Sequence, residues 1–119
     1  MTIRRMKTYT GSQGYVYQYY FVGKRPALSV AEPPATEYVF DVSSDRKITY
    51  SVSVFLRDQA LSVWSQEHGR SLSQAEQYAA AKMRLFQAFD EIENMLAEGR
   101  QLPVDAQKLE ELMTTLGVQ

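Results

Sequence analysis

Residues 11–26 read GSQGYVYQYYFVGKRP, with five aromatic rings in the seven positions from Tyr15 to Phe21 and Gly23, Lys24, Arg25 and Pro26 behind them. Whether those rings face a ligand or the inside of a sheet decides the fold and most of the function. On strand spacing Tyr15, Tyr17, Tyr19 and Phe21 share one face, while Val16, Gln18, Tyr20 and Val22 share the other. A wholly aromatic face needs a cover. Tyrosine suits a covered face because its ring fills a core while its hydroxyl reaches the sheet edge for a hydrogen bond. The odd-numbered rings therefore read as core or subunit interface.

Working outward, residues 3–10 and 15–22 read as two strands joined at Gly11, Ser12, Gln13 and Gly14, a polar, glycine-bearing break between β-formers. Residues 24–35, KRPALSVAEPPA, hold Pro26, Pro33 and Pro34, which deny ladder hydrogen bonds, so this stretch reads as a connection. Residues 36–43 and 47–56 form a second hairpin around Ser44, Asp45 and Arg46. Matching its apolar sets pairs Val42 with Ile48, Phe40 with Tyr50 and Tyr38 with Val52, and leaves Glu37, Asp41, Thr49, Ser51 and Ser53 on an outer face. The rest of the chain supplies the cover. Residues 57–68 read as a short helix stopped by Gly69, with a strand at 60–64 as the alternative. Ser73 and Glu76 have capping-box spacing and open a helix reaching to about Glu98. Pro103, Leu109, Leu112, Met113, Leu116 and Gly117 outline a last amphipathic helix.

The expected fold is α+β: a four-stranded antiparallel sheet of two hairpins, packed on one face by a long helix and two shorter ones. One domain spans residues 1–119, divided into a tyrosine-rich hairpin (1–23), a proline-rich connection (24–35), a hairpin (36–56) and a helical part (57–119). A chain of 119 residues buries about two-thirds of its unfolded surface, enough for one core. Its 45% hydrophobic and 23% charged residues are those of a soluble globular protein.

Composition also excludes chemistry. The chain has no cysteine, which removes disulfides, thiolate nucleophiles and cysteine-ligated metals. It has no run of about 18 apolar residues and no apolar segment behind its basic first residues, so no membrane partner and a cytoplasmic location are expected. The net charge of −1 is uneven: residues 1–57 carry eight Lys or Arg against four acids, and residues 58–119 carry five against ten. A basic sheet packed on acidic helices satisfies itself. His68 is the sole histidine, placed at a helix end where an imidazolium favours the helix dipole. No nucleophile elbow or metal-binding spacing accompanies it, so no catalytic residue, metal or cofactor is assigned.

Three functions remain. The leading expectation is a non-catalytic protein-interaction module, self-associating as a homodimer, because the aromatic strands, Trp64 and the last helix offer more apolar surface than one helix covers. Its candidate interface is Trp64, Leu109, Leu112 and Met113. The alternative is a nucleic-acid-binding accessory protein using a basic, tyrosine-bearing face of Arg5, Lys7, Tyr9, Gln18, Tyr20, Lys24 and Arg25, where cations follow phosphates and bases stack on rings. The third is a small-anion pocket around Lys82 with Tyr78, Phe86 and Glu93, since Lys82 and Glu93 interrupt the apolar face of the long helix. With 60–64 as a strand, residues 36–56 followed by 69–89 would loosely resemble the carboxy-terminal part of a double-stranded RNA-binding domain. That resemblance requires a lysine cluster where this chain has Ser71, Leu72, Ser73 and Gln74, and no family is claimed on it.

Overall fold

A computed structural model describes residues 6–119. It is α+β, with a five-stranded mixed sheet and four helices among the described residues. Strands β1 (Lys7–Thr10), β2 (Val16–Ala27), β3 (Ala35–Ser43) and β4 (Tyr50–Arg57) form an antiparallel meander. Helices α1 (Asp58–His68), α2 (Gln74–Glu91) and α3 (Met95–Glu98) follow, then β5 (Gln101–Val104) and α4 (Ala106–Leu116). The spatial order is β1-β2-β3-β4-β5, and β5 lies parallel to β4.

The opening question resolves toward the core. Tyr17 and Tyr19 are buried and Phe21 is half-buried, and they meet rings carried by α2. Tyr17 stacks on Phe89 at 4.2 Å, Tyr9 stacks on Phe86 at 4.4 Å, and Phe21 meets Tyr78 edge-on at 4.9 Å. Such pairs add about 0.5–1.5 kcal/mol each beyond the area they bury. Tyr15, beyond the end of α2's cover, is exposed. From β3 and β4 the same layer receives Tyr38, Phe40, Val42, Val52, Val54 and Leu56, all buried.

Four corrections to the sequence reading have local causes. The sheet has a fifth strand where the start of a helix was expected. Leu102 and Val104 are buried and Gln101 and Pro103 exposed, a period of two, and Asp105 then caps α4 by accepting from the Lys108 N–H. Pro103 is tolerated because β5 is an edge strand. The long helix ends at Glu91 rather than near Glu98. Ile92 turns to extended backbone and Asn94 caps α3 through the Ala97 N–H, a break that buries Met95 and leaves Leu96 outside. The β3–β4 turn is wider than expected: Asp45 accepts from the Lys47 and Ile48 N–H groups and holds them out of the ladder. Register therefore pairs Val42 with Tyr50, Phe40 with Val52 and Tyr38 with Val54, and Ile48 is exposed. The shift is two residues, so the faces are unchanged. Finally, β2 runs through Pro26 to Ala27, leaving only residues 28–34 as the connection.

The helix at 58–68 closes the alternative of a strand at 60–64, and with it the double-stranded RNA-binding resemblance. Gly69, at φ 72°, ends α1. The Ser73–Glu76 capping box opens α2 in both directions, Glu76 N–H to Ser73 and Ser73 N–H to Glu76. No helix among the described residues is long and apolar enough to cross a membrane.

Candidate functional site

Apart from Ala35 and Ser43, the buried side chains of β3, β4 and β5 point to the helical layer, and among the described residues the opposite face of the sheet carries no helix. A β-bulge at Val22, between Phe21 and Gly23, reverses the alternation of β2. Before it, odd-numbered residues face the helices. After it, Lys24 pairs with inward Tyr38 and Arg25 with outward Glu37. The open face is thus composed of ladder rows. One row runs Arg25, Glu37, Phe55 and Pro103 from β2 to β5, and its neighbour on one side runs Ala27, Ala35 and Arg57. On the other side lie Gly23, Val39, Ser53 and Gln101, followed by Tyr20, Asp41 and Ser51. The face grades from polar near Tyr20 to apolar near Phe55 and Ala35.

At the apolar end the residues 28–34 loop makes a groove of about 390 Å³, walled by Leu28, Pro33, Phe55, Arg57, Gln101 and Pro103. Its wall is tethered where the Asp58 N–H donates to the Pro34 carbonyl at 3.0 Å. Arg57 is half-buried, yet its guanidinium has no hydrogen bond or ion pair among the described residues. Glu32, also lining the groove, is exposed and equally unpaired. A guanidinium so placed is available to an incoming acid, with which it can form a charge-assisted, bidentate pair. Around the groove and bulge Val22, Leu28 and Val30 stand in solvent, Leu28 at 77% exposure and Val30 fully so.

Compared with protein-family models, curated proteins and solved structures, the chain matches none.

The residues singled out from sequence are dispersed by this geometry. Of the basic, aromatic set, Arg5 lies outside the described residues. Lys7 and Tyr9 pair with inward Tyr19 and Tyr17, so they sit on the helix side rather than flanking Gln18 and Tyr20. Lys24 is also on the helix side, where its ammonium reaches Gln74 and lies 5.8 Å from the Tyr38 ring. Tyr9 donates to Asp90 at 2.7 Å. Only Gln18, Tyr20 and Arg25 share the open face, and Arg25 is held by Glu37 at 2.8 Å. That guanidinium, together with the Ser53 hydroxyl, keeps the Glu37 carboxyl below its ordinary pKa. Among the described residues the face is mixed in charge.

The candidate interface is likewise internal. Trp64, Leu109, Leu112 and Met113 are buried in the chain's own core, where α4 packs on α1 and α2, so they present no surface to a partner. At Lys82 the ammonium lies 5.9 Å from the Tyr19 ring and 5.7 Å from the Phe86 ring, with its stem along the aromatic layer. Tyr78 packs into that layer, and Glu93 is exposed beyond the end of α2 beside Tyr15 and Leu96. Lys82 and Glu93 therefore belong to different places. His68 stacks on Trp64 at 4.1 Å and pairs with Glu110 at 2.9 Å, clasping α1 to α4. Glu67, His68 and Glu110 bring ligand atoms within 4.8 Å of one another, two of the three being joined by the His68–Glu110 hydrogen bond.

Sequence reasoning missed Arg57, Glu32 and the groove. One signal was present: Phe55 falls on a face that also carries Glu37, Asp41, Ser51 and Ser53, and a large ring among such residues marks a local apolar patch.

Proposed function

We propose that the protein is a non-catalytic protein-interaction module that self-associates through the helix-free face of its sheet. The observation that carries this reading is the groove beneath the 28–34 loop, with an apolar floor, an unpaired guanidinium and exposed aliphatic side chains on its rim. Exposed apolar surface concentrated in this way marks contact sites. The polar groups lining the groove, Arg57, Glu32, Gln101 and Ser29, are suited to recognition, and no histidine is among them. Tyr17, Tyr19 and Phe21 take no part, because α2 already covers them.

Sedimentation equilibrium over a wide concentration range tests the reading. Wild-type protein is expected to self-associate. Phe55→Lys, which places a charge on a half-exposed outer position and leaves the core untouched, is expected to be monomeric with an unchanged far-UV spectrum. Monomeric wild type, or association indifferent to Phe55→Lys, overturns it.

A further inference from the structure

The groove and the loop above it are complementary in chemistry. Leu28, Val30 and Glu32 occupy alternate positions of a proline-bounded segment, offering two exposed aliphatic side chains followed by an acid. The groove offers Phe55 and Pro103 as an apolar floor followed by Arg57 as a cation. Glu32 and Arg57 line the same groove, yet neither has an ion-pair partner in its own chain among the described residues. Each is what the other lacks.

We infer that the occupant of the groove is a second copy of this chain, docked face to face about a twofold axis. The 28–34 loop of each copy lies in the other's groove, and Glu32 of each pairs with Arg57 of its mate. This inference rests on the helix-free face being the working surface. The placement of loop and groove side by side on one face is the arrangement a twofold contact needs, since every contact then occurs twice by symmetry. A head-to-tail assembly would need two separate complementary faces. Five strands about 4.8 Å apart and about eight residues long at 3.3 Å each give a footprint on the order of 600 Å². That is below the roughly 800 Å² per partner of a standard interface, so a weak, concentration-dependent association is expected.

Charge exchange tests the pairing. Arg57→Glu and Glu32→Arg each set like charges opposite one another at both symmetry-related positions, and each is expected to weaken self-association on the order of a hundredfold. An equimolar mixture of the two variants restores both pairs across the interface. It is expected to form a heterodimer, detectable by native mass spectrometry, within about tenfold of wild-type affinity. A pair within one chain could not produce that rescue. Should both variants be monomeric and their mixture remain so, the pairing is overturned. Should wild type dimerise and both variants dimerise equally well while Phe55→Lys does not, the pairing is overturned and the open face stands. Indifference to all three substitutions overturns both. A monomeric wild type overturns self-association and, with it, the pairing.

Discussion

Asp90 fastens the first hairpin to the end of α2. Its carboxylate accepts from the Tyr9 hydroxyl at 2.7 Å and from the Ser12 N–H at 2.9 Å. The turn residue Gly11 sits close by: a Cβ there would approach the Asp90 carboxylate to 2.8 Å. Of the two bonds, the one from half-buried Tyr9 is worth roughly 1–1.5 kcal/mol and the exposed one from Ser12 about 0.5, so Asp90→Ala should cost about 2 kcal/mol. Unfolding entropy for a chain of this length is about 0.25 kcal/mol/K, which converts that loss to a fall in Tm of about 8 °C. Tyr9→Phe keeps the stack on Phe86 and should cost about half as much, while the double variant should resemble Asp90→Ala alone, giving a coupling of about 1 kcal/mol. Thermal and urea unfolding of the four proteins provide the cycle. The pH dependence is a second constraint. The Ser12 N–H and the Tyr9 hydroxyl hold the Asp90 carboxyl below its ordinary pKa, so its contribution is full above the unfolded value of about 3.9 and is lost as pH falls through the lower folded one. The same bond pushes the Tyr9 hydroxyl up from 10.0 to about 12, so at the alkaline end the contribution is lost as pH rises across that interval. An Asp90→Ala variant within 0.5 kcal/mol of wild type, on the order of experimental additivity error, would refute the clasp.

Further outcomes follow from other positions. Tyr38 is buried with its hydroxyl unbonded among the described residues, so Tyr38→Phe should stabilise the fold by about 1 kcal/mol in urea unfolding. A loss of stability would show that the hydroxyl has a partner. Gly69→Ala meets no steric obstacle but forces alanine to φ 72°, and should cost about 1 kcal/mol, whereas Gly23→Ala, in open space without a positive φ, should be nearly neutral. Glu76 is held down to about 2 by the Arg70 guanidinium and by the Ser73 N–H. Its advantage over Glu76→Gln should be full above pH 4.5 and shrink as pH falls toward 2, read as amide-exchange protection in the first turn of α2. Fluorescence anisotropy with labelled single- and double-stranded oligonucleotides should stay flat, because Arg25 is paired and Lys7 and Lys24 face the helices; saturable, salt-sensitive binding would return the nucleic-acid reading to first place.

The α+β class, the first four strands, the short helix at 58–68 and the start of α2 were legible because period-two and helical spacings are written in adjacent residues. Three features were not. The bulge at Val22 leaves no mark in composition, yet it exchanges the faces of Lys24 and Arg25, turning Lys24 to the helix side, away from Gln18 and Tyr20, and so divides a patch that looks continuous along the chain. A four-residue strand, QLPV, is too short for periodicity to separate from a helix start, and only the vacant edge of β4 selects it. Asp45's hold on the turn moved the register by two without changing faces, which is why Tyr38, Phe40, Val42, Tyr50 and Val52 were placed inside from wrong pairs, while Ile48, also read as inward, is exposed. The groove could not be read at all from local pattern, since Arg57, Glu32 and Pro103 come from three separate segments.

The parallel pairing of β5 has a kinetic meaning. Its partner β4 is complete before any helix of the described chain is made, but β5 arrives only after α1, α2 and α3. During synthesis or refolding the β4 edge, bearing Val52, Val54 and Leu56, stays open until that helical layer has formed and brought residues 101–104 alongside. Non-local pairing of this kind slows folding, and an unpaired apolar strand edge recruits other chains in the interval. Chains truncated before residue 101 would keep that edge permanently, and aggregation rather than simple loss of stability would be their characteristic failure.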